Sequence, residues 1–156
     1  MSLKVVQFLA VLLTALALVP GGAHALALPN KIGLPQEPYF VVQQIYRGWS
    51  LLGIVLIAAA AADLYLAFLL REQRTPFLLS LAGGLCVAAT LVVFFVWTLP
   101  ANEATDNWVS RPPNWQALRR RWEYGHAAGA ALVFTGFCLI VAATLSAGSQ
   151  ARGLPD

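Results

Sequence analysis

The chain has 156 residues, 59% of them hydrophobic and only 11% charged, with a mean hydropathy of +0.69. That composition excludes an ordinary soluble domain, in which apolar residues are about half and charged residues about a quarter. The net charge of +3 is too small and too scattered for a nucleic-acid surface.

The first apolar stretch, Leu3 to about Leu28, exceeds the 20 or so residues a bilayer-crossing helix needs. Its start resembles a secretory signal peptide. Lys4 precedes an apolar run to Val19, then come Pro20-Gly21-Gly22 and the A-x-A triplet Ala23-His24-Ala25. The apolar run continues past that triplet through Leu26, Ala27 and Leu28, so a retained membrane helix is expected, with Pro20 and the glycines permitting a kink. Pro29, Pro35 and Pro38 then mark an irregular external segment. Tyr39 to Arg47 reads as an amphipathic lead-in, with Trp49 at the membrane interface.

Gly48 to Leu70 is the second crossing, and Asp63 is its one formal charge. An acid at that depth must be satisfied by neighbouring helices. Gln7, Ser80 and Thr144 are the expected partners in a structural hydrogen bond. After the polar turn Arg71-Glu72-Gln73-Arg74-Thr75-Pro76, a third crossing runs from Phe77 to Leu99 and ends at Pro100. Cys86 and Cys138 lie within apolar runs and read as packing residues.

The connection from Pro100 to Gly129 is the densest in chemistry, with three of the five Trp and four of the ten basic residues. After Pro112-Pro113, Asn114 is a candidate N-cap. Trp115 to Leu145 then reads as one helix of roughly 46 Å, whose first third must leave the bilayer. Steps of four, three and four align Trp115, Arg119, Trp122 and His126 on one face. Arg119 and Glu123 have the spacing of an intrahelical ion pair. Gly125 and Gly129 read as a close helix-packing site.

These elements define an all-α, four-helix transmembrane bundle with an extramembrane cap between helices three and four. Both termini share one face. Lys/Arg counts favour neither orientation clearly, and Lys4 ahead of the first helix places the termini in the cytoplasm. His24 and His126 fall at the same end of the bundle, where paired imidazoles could ligate a haem b iron or serve a quinone site.

Pro-Ala-Asn at 100–102, then N-W-Q-A-L-R-R-R-W-E-Y-G-H from Asn114 to His126 leading into a last apolar helix, resembles a family of small four-helix membrane proteins. That domain-of-unknown-function family includes the anthrone-oxygenase-like proteins. The resemblance implies oxidation of anthrones by dioxygen with no metal or flavin, and carries over Asn102, Trp115, Arg121, Trp122 and His126 as the site. Many members have an Arg shortly after the His, whereas this chain continues Ala127-Ala128-Gly129.

The resulting expectation is a multi-pass protein of a bacterial-type plasma membrane acting on a hydrophobic aromatic such as a phenol, anthrone or quinol. His126 would be the general base, with Arg121 and Asn102 on the developing anion. Trp115, Trp122 and Arg119 would hold the ring, in a cavity that His126 shares with Asn102 and one of the two arginines. Haem or quinone binding through His24 and His126 is one alternative, and a non-enzymatic subunit docking a larger membrane complex is another.

Overall fold

The computed structural model describes residues 2–150, and the regular elements among them are all helical. They are α1 (Leu3–Lys31), α2 (Gln36–Gln43), α3 (Gly53–Leu69), α4 (Arg74–Val93), α5 (Leu99–Ala104) and α6 (Trp115–Gln150). Short 3-10 segments at Gln44–Tyr46 and Trp49–Leu52 lead from α2 into α3, and a π turn at Phe94–Thr98 joins α4 to α5. Four spans are long and apolar enough to cross a membrane: Leu3–Lys31, Trp49–Leu69, Arg74–Ala104 and Trp115–Ala147. The chain is therefore a multi-pass membrane protein of the all-α class, as its hydropathy predicts.

The four spans form a square in which α1 and α4 each pack against both α3 and α6. The tightest seam, between α4 and α6, is made by missing side chains. A Cβ on Gly136 would sit 2.8 Å from Val87 and 3.0 Å from the Gly83 carbonyl, and one on Gly129 would sit 3.1 Å from Thr90. Gly125 approaches Thr98 in the same way, so the Gly125/Gly129 pair does pack closely against a neighbouring helix.

The core is layered. Val6, Ala10, Leu66, Leu70, Ile140 and Ala147 fill the end near the α3–α4 turn, and Ala17, Ala59, Ala60, Val87 and Val133 fill the middle. Between these layers Asp63 is fully buried and accepts from the Thr14 hydroxyl, with oxygen distances of 3.1 and 3.0 Å. Two of the expected partners have other roles: Ser80 and Thr144 donate to the carbonyls of Pro76 and Ile140 on their own helices. The partner is thus Thr14, two turns deeper along α1 than Gln7. Cys138 lies exposed on the apolar surface and Cys86 is half-buried.

Several boundaries differ from expectation: α4 begins at Arg74 and not at Phe77, and α6 continues past Leu145 to Gln150. Helix α1 runs through Pro20 and Pro29 to Lys31. Each proline removes one N–H, yet long neighbouring helices hold the segment in register, a context in which membrane helices tolerate proline. The third span likewise continues past Leu99, through Pro100 to Ala104. Pro100 has no N–H for the carbonyl four residues back, Val96 O. The Arg121 guanidinium donates to that oxygen instead, at 2.5 Å.

Candidate functional site

The cap is an aromatic cluster of Tyr39, Phe40, Trp108, Trp115 and Trp122 with Ala101. Its position depends on an unusual turn after α5. Asp106, Asn107 and Trp108 have φ of 47°, 53° and 66°, three successive non-glycine residues in the left-handed region. Such a conformation costs about 1–2 kcal/mol per residue and needs local support. Thr105, fully buried, supplies it: its hydroxyl accepts from the Trp108 N–H at 3.1 Å and its carbonyl from the Ser110 N–H at 2.8 Å. The Asn107 N–H donates to the Asn102 carbonyl at 2.7 Å, and Gln44 Nε2 ties the Trp108 carbonyl to the segment after α2. The strained turn thereby aims Trp108 into the protein.

A buried polar network lies against this cluster. Lys31, at the end of α1, forms an ion pair with Glu123 on α6 at 3.1 Å. Glu123 Oε1 also accepts from the Tyr39 hydroxyl at 3.0 Å and from Gln43 Nε2 at 3.4 Å, and Gln43 Nε2 contacts the Tyr39 hydroxyl as well. Burial, and then the neighbouring Glu123 carboxylate, push the Tyr39 phenol well above its ordinary range. It remains a protonated donor at any accessible pH. The Lys31 ammonium also lies over the rings of Tyr46 and Trp122, 4.6 and 5.1 Å from their centroids.

Beneath the cap, reaching down to the middle layer at Ala17 and Val133, all four spans line a cavity of about 770 Å³. His24 and His126 meet on its wall with ring centroids 4.1 Å apart and planes 23° apart. Tyr46, Trp49 and Trp122 surround the His24 ring at 4.2, 5.5 and 4.9 Å. Trp122 also sits 4.3 Å from His126, and its indole N–H donates to Asn102 Oδ1 at 2.8 Å. An indole can only donate, so this bond fixes the amide orientation and leaves Asn102 Nδ2 as the end available to a ligand.

Four of the residues singled out in the sequence, His24, Asn102, Trp122 and His126, therefore share one cavity. Trp115, Arg119 and Arg121 lie elsewhere. Trp115 is buried in the cap cluster. Arg119 is buried over the rings of Trp115 and Tyr39, and its Nη1 donates to the Leu34 carbonyl at 2.6 Å. Arg121 points to the outer face, as a five-residue step around the helix requires, and lines a shallow groove with Trp97, Arg120 and Tyr124. The expected sharing of the cavity by an arginine of this run is thus corrected, and Arg47 is the arginine on its wall. Glu123 pairs with Lys31 and not with Arg119, because the fold brings Lys31 closer than the helical spacing brings the guanidinium.

The histidine pair does not fit an axial haem ligation. Two imidazoles gripping one iron at about 2 Å each must aim their nitrogens at a common point between them, with the rings end to end. Here the rings are stacked face to face in van der Waals contact.

Lys31, Gln43, Arg47, Trp49 and Trp108 were not anticipated as site residues. Lys31 follows Pro29 and reads as external chain, and Trp108 depends on the left-handed turn. The signal available was the lone Lys within an otherwise neutral stretch. No family model matches this chain, nor does any curated protein or solved structure. The fold and site define it as a four-span membrane protein with an aromatic-walled cavity under a cap.

Proposed function

We propose that this chain is an anthrone-oxygenase-like enzyme of a bacterial-type plasma membrane. It oxidises a hydrophobic aromatic (a phenol, anthrone or quinol) with dioxygen and without a bound cofactor. The observation that carries the reading is the convergence of His126, His24, Asn102 and Trp122 on one large, mainly apolar cavity. Its volume lies within the range of about 300–1,000 Å³ typical of small-molecule sites. A few placed polar groups in an aromatic enclosure are what orient a flat apolar substrate.

For an anthrone, the net change converts the ring methylene and O₂ into a carbonyl and one water. Dioxygen accepts four electrons, with one oxygen atom in each product. His126 takes the first C–H proton as general base. The resulting anion spreads over the ring system and onto the ring-ketone oxygen, where the Asn102 amide and the Trp108 indole N–H stabilise it by hydrogen bonding. The anion then passes one electron to O₂, and the radical pair combines to form a C–O bond and a peroxide. Loss of the second C–H proton with O–O cleavage yields the carbonyl and hydroxide, which is protonated to water. His24, stacked on His126, fixes the ring of the base and presents its π face to the charge it gains. In this scheme Arg121 and Arg119 act through the scaffold, one holding the Val96 carbonyl and the other the Leu34 carbonyl.

Oxygen uptake by the purified, chelator-treated protein with anthrone tests the reading. One O₂ should be consumed per anthrone, and His126→Ala should slow turnover by about 100-fold or more. No uptake above the uncatalysed rate with anthrone, phenol or quinol would refute the proposal, as would an unchanged rate in His126→Ala.

A further inference from the structure

The cavity has two chemically distinct ends. At the cap end, three polar atoms lack a hydrogen-bond partner: His24 Nδ1, Gln43 Oε1 and Trp108 Nε1. Their residues are only 4%, 3% and 3% exposed. Orphaned buried groups of this kind cost about 1–3 kcal/mol each unless something completes them. Together they offer a donor, an acceptor and an imidazole nitrogen, the complement of a ring bearing oxygen substituents.

The other end descends to membrane depth and is walled mainly by Ile54, Leu56 and Ile57 of α3, Leu91 of α4, and Phe94 and Phe95 of the π turn. Thr90 adds a hydroxyl to this wall, and that hydroxyl is turned to the Cys86 carbonyl of its own helix at 3.4 Å. Ile54, Ile57 and Phe95 keep 68%, 57% and 60% of their surface exposed on the outside of the bundle. The same two helices grip each other further down, where a Cβ on Gly84 would meet Leu64 at 2.9 Å and Asp63 at 3.2 Å. At the upper end a Cβ on Gly53 would meet nothing within 4 Å. The π turn at Phe94–Thr98, an extra residue in the helical repeat, falls where α4 borders this opening. Such turns recur where a helix is reshaped for a site.

We propose that the substrate is a lipid resident of the bilayer, an oxygen-bearing aromatic head on a long apolar tail, and that it enters sideways between the upper ends of α3 and α4. The head fills the cap end, completing Gln43, Trp108 and His24, and the tail runs out past Ile54, Ile57 and Phe95 into the acyl chains. A compact, tail-less aromatic satisfies the first end and leaves the second empty. A tailed one fills both and reaches the site without crossing water. This rests on the aromatic-substrate reading above and specifies its substrate class.

The test is photolabelling in nanodiscs with a decyl-benzoquinone carrying a diazirine at the chain end, followed by peptide mass spectrometry. The label should concentrate on residues 53–57 and 90–95. An excess of unlabelled decyl-benzoquinone should remove it several-fold, and decanol should not. Labelling centred on the loop at 105–109, or spread evenly over the lipid-facing helices, would overturn the proposal, as would equal competition by decanol. The readout needs no turnover, so it is separable from the oxygenase reading. A protein that oxidises anthrone but fails this labelling keeps the reaction and loses the lipid substrate, and the reverse result keeps the binding mode and loses the reaction.

Discussion

The Lys31–Glu123 pair shows how little local spacing determines a buried charge. Both side chains are almost fully excluded from solvent, and Glu123 Oε1 collects Lys31, Tyr39 and Gln43. Bringing two ions out of water is costly, and their attraction compensates only while both are present. Lys31→Met should therefore destabilise the protein by about 3–5 kcal/mol, because it leaves a buried carboxylate without its cation. The double variant Lys31→Met/Glu123→Leu should recover most of that loss. Reversible unfolding in mixed micelles measures both, and a single variant as stable as the parent would show that Glu123 is neutral in the folded protein. Helical periodicity pairs Glu123 with Arg119 because it sees only neighbours on one helix. Lys31 is 92 positions away in sequence, and only the packing of α1 on α6 makes it the partner.

Among the elements, α6 carries the most information. One face holds Trp122 and His126 to the cavity, the glycines at 129 and 136 let α4 approach it, and Gly125 admits the π turn that follows α4. Gly136→Ala should cost about 1–3 kcal/mol, since the new methyl would press on the Gly83 carbonyl, which cannot rotate aside. Gly22→Ala is the matched control: it has open space around its Cβ and should be neutral or stabilise by up to about 1 kcal/mol. Thermal unfolding of the two variants decides this, and equal stability would mean that the α4–α6 seam is looser than described. The stripe from Trp115 to His126 was legible because one helix fixes its own periodicity. The fates of its upper members were not, since α2 and the loop before α6 close over Trp115 and Arg119 and make them cap residues. The length of α1 was obscured for a related reason. Pro29 reads as the end of an isolated helix and Pro20 as a kink within it, but packing against neighbours carries the helix through both.

At the scale of the whole molecule, the bundle is solid at the end near the α3–α4 turn and hollow from its middle layer up to the cap. Hydropathy alone marks the four spans, because in a bilayer each must be a helix of at least the membrane's thickness. It also brings His24 and His126 to one end. What it does not mark is the void between them, which depends on how the spans pack and on the three left-handed residues that aim Trp108 inward. On the proposed function, this void receives a flat aromatic against His126. A crystal structure grown in lipidic mesophase with anthraquinone, the expected product of anthrone oxidation, tests it directly. The ring should lie between Trp49, Trp122 and His126, with a carbonyl oxygen within hydrogen-bonding distance of Asn102 Nδ2 or Trp108 Nε1. A ligand seated instead in the outer groove of Trp97, Arg121 and Tyr124, with the cavity under the cap left empty, would contradict it.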